Sequence, residues 1–133
     1  MFEFNKDYKH RDKLVFGKEI DYTERNYNSI RSFEANEIII RKLINNKFLD
    51  PNGAQNNSYT ALEFLEFMEL YPNKFFTIGY AVSPLRSDYR ISIEGLFSTK
   101  VTSYAIIQEF KNKFNNADEL EWEDNYLRCW YDW

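Results

Sequence analysis

The sequence predicts an α+β fold: a four-stranded, mostly antiparallel sheet built from two hairpins, with about three helices packed on one face, in the order α-α-β-β-α-β-β. Three observations lead to it. Apolar residues recur at three- and four-residue steps in three stretches. They alternate with polar ones at period two in four others. The 133 residues are 44% hydrophobic and 29% charged, which suits one domain with its own core. Residues 1–133 therefore read as a single domain, with an N-terminal arm over 1–31 and an α+β core over 32–133.

The arm is polar and weakly periodic. Lys13-Leu14-Val15-Phe16 reads as a short strand and the remainder as irregular chain. The aromatic rings of Phe2, Phe4, Tyr8, Tyr22 and Tyr27 are expected to lie on the domain or on a neighbour.

A first helix is expected from Phe33 to Phe48. Ser32 serves as its N-cap, and Phe33, Ile40, Leu43, Ile44 and Phe48 form its apolar stripe. Asp50-Pro51-Asn52-Gly53 has the chemistry of a turn.

The second helix, Ala61 to Tyr71, has the clearest start. Thr60 and Glu63 have the spacing of a capping box, in which hydroxyl and carboxylate each accept the other's backbone N–H. Glu63, Glu66 and Glu69 form one solvated ridge on an otherwise apolar cylinder. Pro72-Asn73 stops it.

Phe75–Ser83 and Asp88–Phe97 read as a hairpin around Pro84-Leu85-Arg86-Ser87. In the first strand, Phe76, Ile78, Tyr80 and Val82 are expected inward, leaving Thr77, Gly79, Ala81 and Ser83 as a smooth open strip. Arg90, Ser92 and Glu94 stand beside it on the second strand. Gly79 within a strand signals close backbone approach.

A third helix, Val101 to Asn115, carries Ile106, Ile107, Phe110 and Phe114 on one side. The last segment reads as a second hairpin turning at Asp124-Asn125. Leu127, Cys129 and Tyr131 face the core, while Tyr126 and Trp130 face out beside Glu119, Glu121 and Glu123.

The chemistry is constrained chiefly by what is scarce. The single Cys129 and single His10 exclude a multi-cysteine zinc site and a His₂ or His₃ site within one chain. Cys129, in phase with Leu127 and Tyr131, reads as a buried small hydrophobe rather than a nucleophile. Tyr8-Lys9-His10-Arg11-Asp12-Lys13 reads as a solvated charged turn, the alternative being a phosphate-and-stacking patch. The acids of 118–124 stand in a row and do not match a calcium loop, so no metal is expected there. There is no phosphate loop, nucleophile elbow, zinc-protease motif or dinucleotide fingerprint, and hence no cofactor is expected. No apolar run approaches the ~20 residues of a membrane helix. Phe2-Glu3-Phe4-Asn5-Lys6-Asp7 does not read as a signal peptide, which makes the cytoplasm the expected address.

The formal net charge is −4, and the last sixteen residues alone carry −5, with Arg128 set against six carboxylates. Such a surface repels phosphate backbones and suits a basic protein partner. The candidate partner residues are Glu119, Glu121, Glu123, Tyr126, Trp130 and Arg90. The expected role is a non-catalytic interaction module, an inhibitor or immunity-like protein. The alternative is a small-ligand or nucleic-acid binder using the open strip or the Tyr8–Lys13 patch. A C-terminal strand, Tyr126 to Trp133, at an exposed edge and an aromatic arm together predict a homodimer.

Tyr59-Thr60-Ala61-Leu62-Glu63-Phe64-Leu65-Glu66-Phe67-Met68, Gly79-Tyr80-Ala81-Val82-Ser83-Pro84, Ala117-Asp118-Glu119-Leu120 and Cys129-Trp130-Tyr131-Asp132 resemble small acidic proteins encoded by Gram-positive bacteria and their phages or mobile elements. The resemblance spans about the last two-thirds of the chain. It implies an interaction or regulatory role and supplies no catalytic residue.

Overall fold

The computed structural model describes residues 2–22, 30–54, 58–123 and 125–132. Its elements are α1 (Tyr8–Phe16), β1 (Ile30–Ala35), α2 (Glu37–Asn45), α3 (Ala61–Leu70), β2 (Phe76–Val82), β3 (Ile91–Ser98), α4 (Tyr104–Lys113), β4 (Glu119–Glu123) and β5 (Tyr126–Trp130). The α+β class is as expected, but the described residues form five strands and four helices. The extra strand and helix both come from the N-terminal region. The sheet is antiparallel throughout, in the order β1-β2-β3-β5-β4.

Within the described part of the arm, Tyr8–Phe16 is helical. Asp7 caps α1 by accepting the His10 N–H, and Gly17 closes it at φ 76° with its N–H on the Lys13 carbonyl. Lys13–Phe16 is thus the last turn of a helix rather than a strand. Its inward side hides an amphipathic pattern, because Arg11 and Asp12 are buried beside Val15. Tyr22 is buried on the same chain, and Tyr8 meets it edge-on at 5.8 Å. Tyr27 lies outside the described residues.

The expected first helix splits in two. Asn36, not Ser32, is the N-cap, and its Oδ1 accepts the Ile39 N–H at 3.1 Å. The residues before it alternate, with Phe33 and Ala35 inward and Ser32 and Glu34 outward, and pair with β2. The helix stops sooner than expected because Lys47 takes φ 63°. The capping box of Thr60 and Glu63 is present at the start of α3.

The first hairpin forms, but β2 presents the opposite face to the core. Thr77, Ala81 and Ser83 are buried; of the residues expected inward, Phe76 and Ile78 are only half-buried, while Tyr80 and Val82 are buried but outside the main core. The Thr77 hydroxyl donates to the Ala35 carbonyl at 3.1 Å, so a polar side chain is accommodated inside. The strip expected to be open is therefore the packed face. The β2–β3 ladder passes from Ile78↔Gly95 to Gly79↔Ile93, which leaves Glu94 as the extra residue of a bulge. Both Glu94 and Gly95 then lie on the outer side, and Ile93 and Leu96 on the inner.

One core joins both layers. Leu43, Phe64, Leu65, Phe110 and Phe114 from the helices meet Phe33, Ile91, Leu96, Leu127 and Cys129 from the strands. Phe64 stacks on Phe114 at 5.7 Å and Phe75 on Phe110 at 5.6 Å. Each fully buried ring contributes about 1.5–3 kcal/mol of transfer free energy. This explains why helices short enough to be marginal alone hold their place. No helix among the described residues is long and apolar enough to cross a membrane.

Candidate functional site

The second hairpin assembles most of the predicted partner residues. Register pairs Glu119 with Trp130, Glu121 with Arg128 and Glu123 with Tyr126. Directly opposed residues share a face, so all six side chains stand on the outer side of the sheet. Leu127 and Cys129 point the other way and are fully buried. Asn125, in the connection, takes the φ of 68° that tight hairpin turns require.

Arg128 organises the acids. Its Nη1 donates to Glu119 Oε1 at 2.7 Å and reaches Glu121 Oε1 at 3.5 Å, and its guanidinium lies 5.8 Å from the Trp130 ring. Both carboxylates remain about half exposed. Trp130 Nε1 donates to Glu94 Oε2 at 3.3 Å. Burial of Glu94 pushes its carboxyl above the usual range, and the Trp130 bond partly offsets this.

The outer face continues across β3 and β2. Phe97 pairs with Arg128 on one side and with Phe76 on the other, and the two rings stack at 5.6 Å. Lys100 lies 5.8 Å from the Phe76 ring. The result is a half-buried aromatic centre (Phe76, Phe97, Trp130 and Tyr126) with a row of carboxylates along β4. Sequence reasoning missed Phe76 because it assigned the wrong face to β2. Glu94 was expected outward, but not its bond to Trp130, which depends on the bulge and on the pairing of β3 with β5.

Arg90 stands on the β2–β3 part of this outer face, with Tyr80 and Ser92, and not on the hairpin that carries the acids. Its guanidinium donates to Asp88 and to the Ser92 and Tyr80 hydroxyls, at 3.0 to 3.2 Å. Arg86 also holds Asp88, and these hydrogen bonds depress the Asp88 carboxyl. The expected exposed C-terminal edge is also corrected. β5 lies between β3 and β4, so the edge is β4, and the expected self-pairing loses its strand.

The Tyr8–Lys13 segment is not a solvated turn, nor a continuous basic patch. Arg11 and Asp12 are 1% and 0% exposed and form an inward network. Arg11 donates to Asp12 at 3.0 Å, to the Val82 carbonyl at 2.8 Å and to the Tyr22 hydroxyl at 3.1 Å. Tyr22 in turn donates to Asp12 at 2.8 Å. The Arg11 guanidinium lies 4.8 Å from the Tyr89 ring. The network ties α1 to the end of β2. His10 stays on the surface, edge-on to Phe48 at 5.5 Å.

A cleft of about 390 Å³ lies elsewhere, between Phe4, Leu49, Ala61, Ile91 and Ile93, and Asp50 and Arg90 also line it. Asn5 holds the N-terminal segment beside it, its N–H on the Lys47 carbonyl at 2.9 Å and its carbonyl accepting the Tyr89 hydroxyl at 2.7 Å. The cleft is large enough for a small molecule, but its apolar floor brings no reactive groups together. Cys129 is fully buried, and burial pushes its thiol up to about 12, so it is not a nucleophile at neutral pH. Among the described residues no three His, Cys, Asp or Glu side chains are grouped so as to hold a metal ion. Comparison with protein-family models, curated proteins and solved structures finds no match.

Proposed function

We infer that this chain is a protein-interaction module of the inhibitor or immunity type, which engages a basic partner through the outer face of its C-terminal hairpin. The reading rests on one observation: the β4–β5 register sets Glu119, Glu121 and Glu123 in a row beside Tyr126 and Trp130, on a face continued by Phe97 and Phe76. An aromatic centre with a charged margin is the usual anatomy of a protein interface. The carboxylates supply long-range attraction for a cationic surface, and the rings supply area to bury once it arrives. The same carboxylates repel phosphate backbones, and burial of Arg11 removes a cation from the patch that would attract them.

The test compares the wild-type chain with the triple variant Glu119→Gln, Glu121→Gln, Glu123→Gln as baits. The wild type is expected to retain a basic protein that salt elutes and that the variant fails to retain. Equal retention by both baits overturns the reading.

A further inference from the structure

Resting on that reading, we propose that the partner docks by β-strand addition to β4, contributing a strand with Lys or Arg at alternate positions.

Among the described residues β4 is an edge strand, with β5 as its one ladder partner. Glu123 and Tyr126 close a hairpin with two residues between them, so they exchange both backbone hydrogen bonds, as do Glu121 with Arg128 and Glu119 with Trp130. The N–H and C=O groups of Leu120 and Trp122 therefore point away from the sheet. A strand edge of this kind is a template for another strand.

The two edges of the sheet differ. β1 buries Phe33 and Ala35, whereas β4 buries no residue, and Trp122 is 47% exposed. Trp122 lies on the helix side of β4, where Lys111 sits 4.3 Å from its ring. An added strand would meet carboxylates on the outer side and Leu120 and Trp122 on the inner.

Charge selects the occupant. A second copy paired antiparallel on β4, with its helices on the same side, would set the glutamates of one chain against those of the other. Like charges directly opposed destabilise a strand pair. A strand alternating cationic and apolar residues reverses every one of those contacts. β4 thus discriminates against itself and in favour of a basic strand.

The experiment uses the full chain and a synthetic probe, Lys-Val-Lys-Val-Lys-Val-Lys, with a second peptide of equal charge whose central Val is replaced by Pro. Proline removes a backbone donor and the extended pairing without altering charge. Binding and amide hydrogen exchange are measured at low salt. The alternating peptide is expected to bind about tenfold more tightly than the proline peptide, as one or two lost hydrogen bonds would give. It is also expected to slow exchange at the Leu120 and Trp122 amides. Equal binding of both peptides, lost in the triple Gln variant, overturns strand addition and leaves the acidic face standing. Binding of the alternating peptide that survives in that variant overturns selection by charge. No binding of either peptide overturns both.

Discussion

The ring of Phe33 lies against the bare Cα of Gly79, its direct partner in the β1–β2 register. A Cβ at Gly79 would stand 2.9 Å from Phe33 Cζ and 2.6 Å from the Ser92 carbonyl oxygen. The ring can swing away, but the carbonyl belongs to the neighbouring strand. Gly79→Ala is expected to destabilise by about 1–3 kcal/mol in a denaturant melt. Adding Phe33→Leu should recover only part of the loss, since the carbonyl conflict persists. An unchanged midpoint in the single variant would refute this account.

The Arg11–Asp12 pair predicts a marked asymmetry between single and double substitution. Arg11→Met leaves the Asp12 carboxylate buried with Tyr22 as its remaining side-chain donor. That is expected to cost about 3–5 kcal/mol. Arg11→Met with Asp12→Ala, which strands no charge, should cost less than Arg11→Met alone. Equilibrium urea unfolding reads both, and a double variant weaker than the single one contradicts the assignment.

Alkali should unfold the chain along with its buried phenols. Burial, then the hydrogen bond to Asp12, pushes Tyr22 up to about 12, and burial pushes Tyr89 up to about 12. Tyr131 moves the same way, and the Cys129 thiol rises to about 12 from its ordinary 9.0. Each group is neutral at lower pH in both states. Above its ordinary value the unfolded chain releases a proton that the folded chain retains. Stability is therefore full below about pH 9 and falls between about pH 9 and 12. Tyrosinate absorbance should show part of the phenols ionising only as far-UV circular dichroism is lost. Ionisation of all 10 tyrosines near pH 10 with dichroism intact would count against it.

Much of the fold was legible where a segment had a local signature. The Thr60–Glu63 box located α3, and the alternation of Leu127, Cys129 and Tyr131 oriented β5 correctly. The failures share a physical cause. The inward residues of α1 include an ion pair, which a hydrophobic period cannot reveal. The inward residues of β2 include Thr77 and Gly79, chosen for a hydrogen bond and a close approach rather than for hydrophobicity. Ser32 was expected as the cap, but pairing with β2 keeps residues 30–35 extended and Asn36 caps the helix instead. The acidic face was legible because it depends on parity within one short hairpin. Its extension to Phe76 and Phe97 depends on long-range register, which no local pattern encodes.

Arg128 gives the acidic face a prediction of opposite sign. It partly neutralises Glu119 and Glu121, so Arg128→Gln should strengthen capture of a basic peptide where Glu→Gln weakens it. A gain of roughly two- to tenfold is expected at low ionic strength, vanishing at high salt. Titration at two salt concentrations measures it, and weaker binding at low salt would show that Arg128 itself contacts the partner.

Because β5 lies inside the sheet while β4 follows it only as the outer arm of a hairpin, the two strands form a hierarchy of opening. Among the described residues β4 joins the sheet only through β5, so any fluctuation that detaches β5 from β3 releases β4 from the sheet as well, whereas β4 can fray alone. The protection of its amides is thus bounded above by that of its neighbour, and the more acidic strand of the hairpin is the first of the two to be released.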